Sequence, residues 1–220
     1  MSNAVIQKLN ELGYSTIPEA FYSKVAEWKS WYQGNVKGFH SYRVRNGESM
    51  VNCKRYSLGM GKKLCEDWAN LLMNEKVQIT LEGQKEQEFI DRVLTENNFT
   101  VKANEMQEMK SALGTVAYIP RVIGQEINEG GEIIPGNASG IILDYVTIEN
   151  IYPLAWQNGF ISECAFSSVV TRNGHDYLYL QIHHKDDGGN YIIDNRIYRY
   201  NNEMLSDERL TNVKGFENIP

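Results

Sequence analysis

Cysteine is scarce in this chain: Cys53, Cys65 and Cys164 are three in 220 residues. They are odd in number, widely separated and outside any CxxC spacing, which argues against a disulfide framework or a thiolate zinc site. A reducing cytoplasm suits such thiols. Long apolar runs are missing as well. No stretch approaches the roughly 18 consecutive apolar residues of a membrane span, and the N-terminus lacks the basic-then-apolar pattern of a signal peptide. The sequence therefore reads as soluble and intracellular, with no membrane partner. An excess of positive charge is also lacking. With 22 Lys and Arg against 28 Asp and Glu, the net charge is -6, so bulk electrostatics do not advertise nucleic-acid binding and any DNA contact must be local.

What is present fits an ordinary globular protein, with 42% hydrophobic residues. Val5, Ile6, Leu9 and Leu12 recur at helical spacing before Gly13, which predicts a short first helix. Pro18 stands where a first-turn proline belongs, and Phe21, Val25, Trp28 and Tyr32 follow at helical intervals before Gly34, predicting a helix over about 18–33. Trp31 and Tyr22 widen that stripe into an aromatic face, which is expected to be buried. Residues 34–47 read as a connector, with a short extended piece at 39–44.

The strongest helical pattern runs from Arg55 to Glu75. Leu58, Gly61, Cys65, Trp68 and Leu72 line one face, and Leu64 and Leu71 broaden it. Gly59 and Gly61 are anomalous there, since each glycine costs about 1 kcal/mol in a helix interior. They point to a late helix start or to a close approach by a neighbouring backbone. A short strand is predicted over 77–81, then helices marked by Phe89, Ile90, Val93 and Leu94 and by Met106, Met109, Ala112 and Leu113, the last closed by Gly114.

Beyond residue 114 the composition turns β-prone. Strands are predicted over 115–123 and 141–152, flanking a loop rich in Gly, Asn and Glu. Three more, over 160–171, 176–183 and 191–200, are separated by the Asn173-Gly174 hairpin signal and by the Asp186–Asn190 turn. Helices first and sheet second describe an α+β fold, N-terminal amphipathic helices followed by an antiparallel β-meander. We divide it into a mainly helical part, 1–114, and a β-rich part, 115–220, together forming one body.

Candidate chemistry is sparse. His183, His184, Asp186 and Asp187 have the ligand types for zinc or another divalent ion, and a metal-dependent hydrolase or nuclease using that turn is the enzymatic alternative. Adjacent histidines on a strand point to opposite faces, so a polar hairpin tip is the simpler expectation. Leu58-Gly59-Met60-Gly61-Lys62-Lys63 has no GxxxxGK[ST] pattern and no Ser or Thr after the lysine, which sets it apart from a phosphate loop. Glu66-Asp67, Glu86 with Glu88, and Asp186-Asp187 are carboxylate pairs of the kind that solvate exposed faces. His40 and His175 fall in a connector and a turn, outside any nucleophile motif. Lys54-Arg55 and Lys62-Lys63 beside Tyr56 form a small basic patch of the sort that contacts phosphates without reading sequence, or a solvated helix face. Tyr177, Tyr179, Tyr191, Tyr198 and Tyr200 leave open a generic protein- or carbohydrate-binding β module, provided they are exposed. No catalytic, cofactor-binding or metal-binding residue is assigned, and the chain is not expected to be an enzyme.

Two long stretches carry a resemblance. Trp28-Lys29-Ser30-Trp31-Tyr32-Gln33-Gly34, followed by the run from Lys54 through Gly59-Met60-Gly61 and Trp68 to Glu75, resembles the portal proteins of Gram-positive siphophages and related prophages. Ala112-Leu113-Gly114-Thr115-Val116-Ala117-Tyr118-Ile119-Pro120 and Tyr191-Ile192-Ile193-Asp194-Asn195 are similar to that family's sheet region. The resemblance implies a structural ring subunit, usually one of twelve, at one capsid vertex of the virion, assembled in the bacterial host cytoplasm. DNA is packaged through such a ring and later ejected. The implied partners are further copies of the chain, the terminase large subunit, a head–tail adaptor, capsid and scaffold proteins, and double-stranded DNA held non-specifically. Family members continue past residue 220 into stem, clip and crown, so the chain is expected to be the N-terminal, wing-like part, with the DNA-facing regions elsewhere. Alone it is expected to be monomeric or weakly self-associating.

Overall fold

A computed structural model describes residues 2–74, 77–127, 133–186, 188–201 and 204–216. In chain order the elements are α1 (Ser2–Glu11), α2 (Glu19–Tyr32), β1 (Ser41–Asn46), β2 (Ser49–Lys54), α3 (Met60–Leu72), α4 (Gln84–Glu96), α5 (Phe99–Leu113), β3 (Val116–Ile127), β4 (Ile133–Thr147), β5 (Ile151–Gln157), β6 (Phe160–Arg172), β7 (His175–Lys185), β8 (Tyr191–Asn201) and β9 (Met204–Glu208). The fold is α+β and every sheet is antiparallel. Helices dominate up to Leu113 and strands follow, as predicted, with the addition of the β1–β2 hairpin inside the helical part. Spatially the chain forms two compact units, residues 1–26 with 148–220 and residues 27–147.

The first unit is a five-stranded meander ordered β5-β6-β7-β8-β9. Its turns explain its register. Asn173 and Gly174 both take positive φ, 51° and 73°, between the paired residues Arg172 and His175, which is the two-residue turn whose twist matches the strands. Asn158-Gly159 repeats the device between Gln157 and Phe160. That second Asn-Gly signal escaped the sequence reading, and with it β5 as a separate strand. The single strand predicted over 141–152 is instead broken by a 3-10 turn at Ile148–Asn150.

Alternation along β7 sorts the side chains of this sheet. Leu178, Leu180 and Ile182 are fully buried on one face with Tyr152, Leu154, Ala165 and Tyr198, beneath Val5, Ile6 and Leu9 of α1 and Tyr22 of α2. Tyr177 and Tyr179 turn to the other face, against Ile197, Val213 and Phe216. Tyr22 also donates a hydrogen bond of 2.8 Å to the Ile151 carbonyl, joining the helix to the first strand by a polar contact inside an apolar core. The predicted aromatic face of α2 is only partly buried. Tyr22 and Val25 are inside, while Trp28 and Trp31 remain 41% and 46% exposed.

In the second unit, α3 packs along α5, and both Ala69 and Ala103 are fully buried. The helix predicted from Arg55 begins only at Met60, because Gly59 sits in the left-handed region with φ +64° and stops the backbone there. The glycine pair is thus explained by a late start, and Leu58 lies outside the helix. The strand predicted over 77–81 is not formed. Those residues have no strand partner, and the Gln87 side chain takes a partner's place, donating to the Ile79 carbonyl at 3.1 Å and accepting from the Leu81 amide at 2.7 Å. The β3–β4 hairpin closes the unit, its register running from Val116↔Thr147 to Ile127↔Ile133.

Asn97 fastens that hairpin. Its side-chain amide, 7% exposed, donates to the carbonyls of Val93 (2.8 Å) and Ile141 (2.7 Å) and accepts from the Leu143 amide (2.8 Å). One side chain therefore satisfies backbone groups of α4 and β4. Asp144 adds an ionic fastening, paired with Arg121 of β3 and with Lys102 of α5 at 3.4 Å. Burial alone would raise the Asp144 carboxyl, but those two cations outweigh it and hold it below the ordinary carboxylate value.

Three stability predictions follow from these contacts. Tyr22→Phe should cost about 1–2 kcal/mol, read from a denaturant titration, since it strands one buried acceptor. Asn97→Ala should cost more, roughly 2–4 kcal/mol, because it removes the partner of both the Ile141 carbonyl and the Leu143 amide; a loss no larger than that of Tyr22→Phe would count against the fastening role. The depressed Asp144 carboxyl contributes stability above its unfolded value of about 3.9, which is lost as pH falls towards the lower folded value. Thermal midpoints of the wild type should accordingly drop between about pH 5 and pH 3 more steeply than those of Asp144→Asn.

Candidate functional site

The residues named as metal ligands do not converge. His183 lies on β7 between β6 and β8, with its Nδ1 hydrogen-bonded to the Tyr191 hydroxyl of β8 and its ring edge-on to Phe166 of β6 at 5.1 Å. Desolvation lowers its pKa, so the neutral ring is favoured. His184 points to the opposite face, and its Nδ1 lies 3.3 Å from the Lys185 carbonyl. Asp186 is engaged by its own turn, accepting from the Asn190 amide (2.8 Å) and side chain (3.0 Å), and these bonds depress its pKa. Asp187 lies outside the described residues. Among the described residues no three His, Cys, Asp or Glu side chains are grouped as a metal site.

The other candidates are similarly accounted for. His40 is 7% exposed and its Nδ1 accepts from the Val36 amide at 2.8 Å, while its ring packs on Phe39 and Trp31. His175 opens β7 beside the Arg199 guanidinium. All three cysteines are free, and burial pushes the Cys164 thiol up to about 12, far from a reactive thiolate. Glu66 and Asp67 pair with Lys62 (3.5 Å) and Lys63 (2.7 Å) on the surface of α3. Of the sheet tyrosines, Tyr198 is buried, Tyr177, Tyr179 and Tyr200 are half-buried, and Tyr191 is exposed. They form no continuous aromatic platform.

What the second unit does offer is surface. On α3 the small residues face inwards, Ala69 buried and Cys65 half-buried, while the exposed Asn70 bonds Asn104 of α5 at 2.9 Å. The large ones face out. Leu64, Trp68 and Leu71 are 69%, 52% and 63% exposed, with Met60 and Leu72 extending the stripe at helical intervals. A contiguous apolar stripe of this kind marks an interaction surface on a folded protein. The sequence pattern put Cys65 on one face with Trp68, Leu64 and Leu71, whereas the structure turns Cys65 inwards and leaves those three exposed.

A shallow groove of about 600 Å³ also lies in this unit, between the 77–81 segment and α4–α5. It is lined by Val77, Ile79, Leu94 and Phe99 among apolar groups and by Gln87 and Asp91 among polar ones. With Gln87 already occupied by backbone partners and by Asp91 at 2.8 Å, it brings no second acid or base to bear. No helix among the described residues is long and apolar enough to cross a membrane.

A protein-family model described as "Phage portal protein, SPP1 Gp6-like" matches residues 14–204, which takes in most of both compact units. No curated protein and no solved structure gave a match. On the strength of that match over most of its length, the chain belongs to the phage portal protein family of the SPP1 Gp6-like type.

Proposed function

We propose that this chain is the wing-like part of a portal ring subunit, a structural component of the vertex through which phage DNA is packaged and ejected and to which the tail is joined. The observation that carries the reading is the family match over residues 14–204. The exposed stripe on α3 supports it, because a ring subunit needs apolar surface that is satisfied only in the assembly. Burying Leu64, Trp68 and Leu71 in a neighbour would contribute roughly 1–2 kcal/mol each. The role is architectural and requires no catalytic residue.

In this reading the chain acts in a ring of identical subunits, twelve by family habit, with terminase large subunit, head–tail adaptor, capsid and scaffold proteins as partners. It assembles in the bacterial cytoplasm and ends in the virion. Cross-β contacts are not needed for ring closure, since α3 offers its stripe on one side only and a heterologous contact closes when the rotation between subunits is right.

Immunogold labelling of phage particles tests the assignment: label at a single vertex per capsid is expected, and label on every vertex or on none overturns it. The stripe is tested separately by Leu64→Glu with Trp68→Glu in the phage-borne gene. DNA-filled heads should fall at least tenfold, while the purified variant melts within about 3 °C of wild type because the changed side chains are already exposed. Normal yields of filled heads would remove α3 from the assembly.

A further inference from the structure

Two extended pieces of the second unit each keep an open backbone edge. In the β1–β2 hairpin the Arg55 amide donates to the His40 carbonyl at 2.7 Å. His40 and Arg55 are thus a hydrogen-bonded pair, and along an antiparallel ribbon such pairs alternate with pairs whose backbone groups turn outwards. Continued through Ser41↔Lys54 and Arg43↔Asn52, the alternation turns the N–H and C=O of Ser41, Arg43 and Arg45 to the outer edge of β1. The Ser41 carbonyl agrees, accepting from the Gly38 amide outside the ribbon at 3.1 Å. Arg43 and Arg45 have no backbone partner on that edge among the described residues.

Residues 77–82 carry a matching edge. Gln87 holds the Ile79 carbonyl and the Leu81 amide, so the odd-numbered residues turn to α4 and the backbone groups of Gln78, Thr80 and Glu82 turn away from it. Those groups make no hydrogen bond among the described residues. An exposed edge of this kind is a template for another strand, and a two-stranded ribbon is marginal until a third strand joins it.

Side chains and charge follow the same phase. On β1 alternation puts Arg43 and Arg45 on one face and Tyr42 and Val44 on the other; on 77–82 it separates Gln78, Thr80 and Glu82 from Val77, Ile79 and Leu81. Val44, Val77, Ile79 and Leu81 are all exposed. When the two open edges pair, outward residue meets outward residue, so the arginines come beside Thr80 and Glu82 while Val44 comes beside Leu81. A slip of one residue would lose the backbone bonds and mix the faces together. Residues 37–63 hold seven cations against one acid, and residues 82–96 hold five acids against two cations.

We propose that β1 of one copy adds to residues 77–82 of the next as an antiparallel strand, with Arg43 beside Glu82, Val44 beside Leu81 and Arg45 beside Thr80. A second copy is the occupant because it brings the complementary edge, apolar face and charge together. The two surfaces differ, so the contact is head-to-tail and passes from copy to copy. The inference rests on the ring reading for the presence of neighbouring copies. It is separate from the α3 stripe, and ring closure does not require it.

Disulfide trapping between two singly substituted chains is the test. Val44→Cys on one chain and Leu81→Cys on another would stand opposite each other with Cα atoms roughly 4.5 Å apart, within reach of a disulfide. Mild oxidation of the mixture should give a mixed dimer at least tenfold more abundant than Val44→Cys gives with Val101→Cys on α5. Cys53, Cys65 and Cys164 are present in every mixture and set the background. Thr80→Pro in the Leu81→Cys chain removes an outward amide and should abolish the mixed dimer, with the circular-dichroism melt unchanged. Arg43→Glu should lower trapping about threefold, and Glu82→Arg on the other chain should restore it. The strand addition is overturned by equal trapping with Val101→Cys, by trapping that survives Thr80→Pro, or by Val44→Cys chains that pair preferentially with one another. Label at a single vertex without trapping removes this contact and leaves the ring reading standing.

Discussion

The close approach of α3 to α5 governs the second unit. Ala69 and Ala103 are both fully buried, and residues that small let two helix backbones come together with little side-chain volume between them. The consequence is an inverted helix. Leu64, Trp68 and Leu71 are too large to enter so narrow a contact, and they are left on the outer side. A helix whose small residues face its own fold and whose large ones face solvent is shaped for two neighbours, one inside the chain and one outside it. The portal family match gives that second neighbour a natural setting.

Polar fastenings substitute for volume where such packing is thin. Asn97 ties α4 to β4 by three hydrogen bonds from one amide, and Asp144 ties Arg121 and Lys102 together across β3, β4 and α5. The two devices are not equivalent. Asn97 is buried, and its bonds to the Ile141 carbonyl and the Leu143 amide satisfy backbone groups of β4, whereas the Asp144 pairs are partly solvated and worth less. The first unit works differently, with one sheet face filled by Leu178, Leu180 and Ile182 against α1 and a buried polar contact from Tyr22 to Ile151.

Much of this was legible in the sequence because local chemistry decided it. Gly13 and Gly114 close α1 and α5 with φ of 90° and 88°, and Asn173-Gly174 fixes the β6–β7 turn. The errors have equally local reasons. An apolar spacing that continues from Leu58 to Leu72 hides the break at Gly59, since periodicity does not register a left-handed φ. The alternating Val77–Leu81 run has β propensity but meets a glutamine side chain instead of a strand, and propensity yields to whatever partner the fold provides. Burial was the least legible property. A stripe such as Leu64, Trp68 and Leu71 has the same pattern whether it packs within the chain or against another, and only the position of Ala69 and Ala103 tells the two apart.

Strand alternation separates the candidate sites. His183, His184 and Asp186 are adjacent in sequence, and adjacency on a strand divides side chains between faces, so His183 goes to Phe166 and Tyr191 while Asp186 serves its turn. Arg43, Arg45 and Lys54 are less conspicuous in sequence, being spread over twelve residues, yet the hairpin register gathers them because alternation and antiparallel pairing act together. Like charges gathered in this way repel one another and add nothing to the fold that carries them. Arg55, two residues nearer α3 than Cys53, shows the alternative open to a cation in this region: it lies over Phe39 and Tyr42 and is used structurally. Three cations placed together with no such use are a cost to the hairpin that carries them.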